Sequence, residues 1–143
     1  MTTKSGFHKN CFACGINDYG LKLRFVIKDN ESYGEFKAIE KFQGYDNILN
    51  GGIISTILDS AMVNILLERG IKALTASLEV RMKKYIKIGE KIKIKASLIK
   101  EKGKLFIIES ELFNNNGILA TGKGKFLQVD FIEEKIETGR ENI

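Results

Sequence analysis

The chain has 143 residues, 43% hydrophobic and 29% charged, which fits one domain with a buried core and excludes an intrinsically disordered chain. Its formal net charge of +5 is spread over strand faces and turns, and no arginine cluster interleaves with aromatics, so the charge reads as solvated lysine and not as a nucleic-acid surface. Two cysteines, Cys11 and Cys14, are too few for a disulfide scaffold.

The opening residues, MTTKSGFHKN, lack the apolar core of a signal peptide. Residues 1–20 read as irregular, with turn signals at Gly15 and at "NDYG". Residues 21–27 alternate: Leu21, Leu23, Phe25 and Ile27 face one way, Lys22 and Arg24 the other, the pattern of a half-buried strand. "KDNES" turns the chain into a second strand, "YGEFKA".

The glycines of "QGYDNILNGG" lead into "IISTILDSAMVNILLE", a helix of about four turns. It is apolar on nearly every side and therefore belongs in the core. Gly70 is its expected C-terminal stop. Asn50, Asp59 and Asn64 interrupt this most apolar stretch, which argues against a membrane span. A soluble cytoplasmic protein is the expectation.

Four strands follow. "ALTASLEVRM" comes first; "EKIKIKASLIK" puts Ile92, Ile94, Ala96 and Leu98 on one face. "GKLFIIESELF" leads to a hairpin turn placed at Asn116-Gly117, and "ILATGKGKFLQV" closes the set. The tail from Asp130 is charged and reads as frayed. The order β-β-α-β-β-β-β with tight turns predicts an α+β domain spanning 1–143, a curved antiparallel sheet folded around one long helix.

The chemistry concentrates in "NGGIISTILDSAM". The first N–H groups of a helix lack intrahelical partners and carry partial positive charge. Glycines there let another molecule approach the backbone, so Asn50, Gly51 and Gly52, placed ahead of the helix, suit an oxyanion-type site. Asp59 is the one ionisable side chain in the helix interior, where desolvation raises a carboxyl pKa. Such a group suits acyl-transfer chemistry as base or nucleophile. The structural alternatives are a plain N-cap at Asn50 and an Asp59 that faces solvent or a subunit interface.

"QGYDNILNGGIISTILDSAM" resembles the signature of hotdog-fold acyl-CoA thioesterases of the phenylacetate-degradation (PaaI-like) type. In that pattern a His-Gly-Gly turn opens the central helix and an acid follows nine positions after the His. "CFACGINDYGLKLRF", "TASLEVRMKKYIKIGEKI" and "GILATGKGKFLQV" are similar to other segments of the family, so the likeness runs over about residues 7–129. It implies a hotdog fold and hydrolysis of an acyl-CoA without metal or redox cofactor, coenzyme A being part of the substrate. It also implies a homo-oligomer, a dimer or dimer of dimers, with the site built across the interface. Asp59 matches the catalytic carboxylate and Gly51 the glycine whose N–H polarises the thioester carbonyl, with Gly52 supporting close approach. Thr75 aligns with a Ser/Thr that orients the water from the partner subunit. Two positions depart from the pattern. Asn50 stands at the family's His and cannot carry a proton. Lys84-Tyr85 replaces a Lys-Pro, a change expected in a loop.

Arg81, Lys83 and Lys84 follow the strand carrying Thr75 and are candidates for coenzyme A phosphates; the alternative is a solvated strand end. His8, Cys11 and Cys14 have His-x2-Cys-x2-Cys spacing. Structural zinc prefers four ligands, no second His or Cys cluster completes the set, and the reading is a covering segment with partly buried thiols and no metal. Gly122 and Gly124 lie inside a strand pattern and open no helix, so they form no dinucleotide fingerprint. The leading expectation is acyl-CoA hydrolysis. The rival is an acyl-CoA or related ligand-binding protein on the same fold, motivated by Asn50.

Overall fold

The computed structural model describes residues 8–129; the expected tail from Asp130 and the start of the N-terminal segment lie outside them. The elements are β1 (Phe25–Lys28), β2 (Glu31–Lys37), α1 (Gly51–Glu68), β3 (Ala73–Met82), β4 (Lys91–Lys102), β5 (Leu105–Asn114) and β6 (Gly117–Gln128), with a 3-10 turn at Glu40–Phe42. The six strands form one antiparallel sheet in the order β1-β2-β4-β5-β6-β3, and α1 packs against all six. This is the hotdog architecture expected.

Local chemistry explains the turns. Asp29 and Asn30 both take positive φ between the paired Lys28 and Glu31, which is the requirement of a type I′ hairpin turn. After α1, Gly70 lies at φ 74°. Its N–H donates to Leu67 O and that of Ile71 to Leu66 O, the Schellman arrangement that ends a helix.

Several boundaries differ from expectation; the second strand begins at Glu31, inside the segment expected to turn. The first strand is shorter than 21–27, because Lys22 adopts φ 52° and breaks the extended run. Leu21 and Leu23 are nevertheless buried, donating to the carbonyls of Phe12 and Ala13. The β5–β6 turn uses Asn115-Asn116, with Gly117 already paired to Asn114; the Asn114 side chain accepts from the Asn116 N–H. Gly51 and Gly52 lie inside the first turn of α1 and not ahead of it.

The core gathers Ile57, Leu58, Met62, Ile65 and Leu66 of α1 with Ile92, Ile94, Phe106, Ile108 and Phe126 of the sheet. A Cβ on Gly122 would stand 3.3 Å from Leu58 Cβ, and one on Gly124 3.1 Å from Met62 Cε; the two glycines let the helix lie close on β6. By length and composition α1 could cross a membrane, yet half of it is buried inside the fold, covered by the sheet. It is not wrapped on every side: Gly52, Thr56, Asp59, Val63 and Leu67 form a stripe that stays partly open.

Candidate active site

Asn50 caps α1. Its backbone is extended, its Oδ1 accepts from Gly52 N at 2.7 Å, and its carbonyl receives the N–H groups of Ile53 and Ile54. The Gly51 N–H has no acceptor among the described residues, and it carries the helix's positive end. A cleft of about 560 Å³ opens there, lined by Asn50, Gly51, Ile54, Met82, Lys83 and Lys84, with Tyr45 and Tyr85 among its walls. That size suits a small-molecule site. Among the described residues no carboxylate, imidazole or thiol lines it.

Asp59 stands on the open stripe of α1, half-buried. Burial pushes its pKa up; a hydrogen bond from Thr75 opposes this more weakly. Thr75 Oγ1 donates to Asp59 Oδ1 at 2.7 Å, within one chain. The short connection after α1 carries β3 back alongside the helix, and the hydroxyl meets its own chain's Asp59.

A β-bulge makes that contact. Side chains alternate along a strand, so Thr75 would otherwise share the outer face with Glu79 and Arg81. The register shift between Thr75 and Ser77 turns Thr75 to the helix side, opposite the buried Phe126. Bulges re-aim side chains in this way.

The structure divides the expected phosphate-binding group. Lys83 and Lys84 line the cleft, both of their N–H groups donating to Leu119 O. Arg81 pairs with Thr121 and lines a separate groove on the outer face with Glu79, Lys95 and Lys123, whereas β3 ends at Met82, ahead of Lys83 and Lys84. Gly52 is exposed, and its N–H is taken by the cap. The cleft walls Tyr45, Met82 and Tyr85 carry no site signal in the sequence, because isolated large residues in loops and at a strand end show no periodicity.

A sequence profile of the thioesterase superfamily matches residues 46–121, more than half of the chain. The chain belongs to the thioesterase superfamily. No curated protein matches it in sequence. Among solved structures it is similar to a hypothetical thioesterase protein of Streptococcus pneumoniae TIGR4 solved with coenzyme A (TM-score 0.70, 14% identity, covering 74% of this chain and 84% of that one). That protein has also been solved with an aspartate and with a threonine replaced by alanine. A phenylacetic acid degradation-related protein of Ralstonia eutropha JMP134 superposes with TM-score 0.68 at 17% identity, over 75% and 85% of the two chains. A Streptococcus mutans UA159 protein bound to acetyl CoA gives 0.69 at 16% identity, over 74% and 87%. These likenesses bear out the fold; the superfamily match places the chain among thioesterase-like proteins.

Proposed function

We propose that this protein hydrolyses acyl-CoA thioesters, and that its site is completed between two copies of the chain. The observation that carries the reading is the Asp59–Thr75 pair: a half-buried carboxylate with a raised pKa, held by a hydroxyl, in a member of the thioesterase superfamily. The aspartate and threonine replaced in the Streptococcus pneumoniae protein stand sixteen residues apart, the separation of Asp59 and Thr75. Two of the structural neighbours were solved with coenzyme A or acetyl CoA.

The reaction needs a carbonyl polarised by the Gly51 N–H and a water activated by a carboxylate. Water oxygen bonds to the thioester carbon, Asp59 takes the water's proton, the C–S bond breaks, and the coenzyme A sulfur leaves with that proton, which returns Asp59 to its ionised form. Eight residues of α-helix separate Gly51 from Asp59, a rise of about 12 Å, whereas an oxyanion donor acts at about 3 Å. One chain therefore does not bring both groups to one carbonyl.

A second copy resolves this. β3 is a sheet edge that exposes Leu78 and Met82, and an unpaired edge is a template for another strand. Antiparallel pairing of two β3 edges runs the start of one strand beside the end of the other. The Thr75–Asp59 end of one chain then meets the Met82–Gly51 end of its mate. Lys83 and Lys84 at the cleft supply cations for coenzyme A phosphates. Arg81, on the outer face, serves these phosphates only if they are reached around the strand edge.

The deciding experiment is release of free thiol from short, long and aromatic acyl-CoAs by wild type beside Asp59→Asn. Hydrolysis lost in the variant supports the enzyme. A second reading rests on Asn50, whose Oδ1 is committed to the cap and which cannot carry a proton. Acyl-CoA bound by wild type without turnover identifies a ligand-binding member of the superfamily.

A further inference from the structure

We propose that His8, Cys11 and Cys14 bind a divalent metal ion of the zinc class, closing the N-terminal segment on itself where it lies against the central helix. Their ligand atoms all lie within 4.8 Å of one another, and His8 Nε2 stands 2.5 Å from Cys14 Sγ. Tetrahedral zinc, at about 2.3 Å from sulfur and about 2.0 Å from nitrogen, sets its ligands roughly 3.5–3.8 Å apart. Small side-chain adjustments take the cluster to that geometry.

The backbone is built for this convergence. Gly15 N donates to Cys11 O and Ile16 N to Lys9 O, folding residues 9–16 into a knuckle. A Cβ on Gly15 would stand 2.4 Å from both Cys11 N and Lys9 O, so only glycine passes there. Arg24 Nη1 holds the Cys14 carbonyl at 2.8 Å. Leu21 N and Leu23 N bond to the carbonyls of Phe12 and Ala13, fastening the knuckle to the chain that enters β1.

The surroundings suit a thiolate ligand. Cys14 is fully buried, and Nδ2 of the equally buried Asn64 on α1 points to its Sγ at 3.5 Å. An N–H directed at a ligating atom from outside the first set of ligands orients that ligand. Two thiolates and one imidazole balance the charge of a divalent ion, and thiolates favour zinc over the oxygen-seeking magnesium and calcium. A water in the fourth position completes the tetrahedron, so the site is of the open type with three protein ligands and not a closed four-ligand one.

The test is cobalt(II) added to the reduced, full-length protein purified without a metal-chelating tag. Stoichiometric binding with thiolate-to-cobalt charge-transfer absorption, displaced by zinc, is the expected result. Chelator should lower Tm, because metal binding free energy is folding free energy. His8 and Cys11 are half-buried, so His8→Ala and Cys11→Ser are expected to fold and to lose stoichiometric binding. Two titratable thiols with no charge-transfer absorption overturn the proposal, as does undiminished binding in both variants. A Cys11–Cys14 disulfide that persists under the reducing conditions also overturns it. The wild-type titration decides the matter even if a variant fails to fold.

Discussion

Thr75 and Asp59 join the edge strand β3 to the central helix through a 2.7 Å hydrogen bond. The hydroxyl favours the ionised carboxylate while burial favours the neutral one, and burial wins, leaving the pKa above its ordinary 3.8. The carboxylate thus ionises at a cost to folding, which couples chemistry to stability.

Asp59→Asn should reduce thioester turnover at least about 100-fold, the scale of a lost general base, with the oligomer intact. Its stability should move the other way. With a raised native pKa, the folded state binds more protons than the unfolded state between pH 3.8 and the raised value. Stability of wild type therefore falls as pH climbs through that window and stays lower above it. Asp59→Asn removes this loss, so its Tm should equal or exceed wild type at neutral pH, the gain shrinking toward acid. Thermal melts across pH check this; a Tm well below wild type at pH 7 contradicts it.

Thr75→Ala deletes the interaction that holds the Asp59 pKa down. The acid limb of the kcat/KM profile should shift to higher pH, and Thr75→Ser should restore it. An unmoved limb with merely lower activity would make Thr75 a packing residue.

Gly51→Ala should spare the fold and damage turnover. The added Cβ meets Met82 Cε at 3.3 Å and Sδ at 3.4 Å, the far end of a flexible side chain. It also crowds the Gly51 N–H, which has no acceptor among the described residues. We expect a nearly unchanged Tm with a lowered kcat. Unchanged kinetics would remove Gly51 from the mechanism.

Asn50→Ala removes the cap on Gly52 N and should cost about 1 kcal/mol, or roughly 4 °C in Tm for a domain of this size. Asn50→Asp keeps an accepting oxygen at the positive end of the helix and should hold Tm near wild type. Equal losses in both would show that the cap is not what Asn50 contributes.

Leu78→Arg places a cation midway along the exposed edge of β3, near its own mate in a paired dimer. Sedimentation should show monomer, and turnover should fall with it, because Gly51 and Asp59 no longer meet. An active monomer would sink the shared site.

Periodicity and turn chemistry made the element order legible, because both are local. The period-2 runs of β4 and the apolar stretch of α1 each needed a partner surface, and one sheet around one helix supplies it for both. Asp59 stood out because a carboxylate in an apolar helix is costly wherever the chain folds. The spacing of Asn50 to Asp59 carried the family resemblance. What alternation alone could not yield is the side on which Thr75 and Arg81 lie. Thr75 reaches Asp59 only because a bulge between Thr75 and Ser77 inverts its face. Arg81, past the bulge, falls on the outer face, away from Lys83 and Lys84. A bulge is set by strand pairing between β3 and β6, residues some fifty positions apart in sequence, and such pairing is a property of the assembled sheet. The same holds for His8, Cys11 and Cys14. Their spacing is in the sequence, but their convergence depends on a knuckle closed by Gly15 and seated against Asn64 of a helix that begins far down the chain.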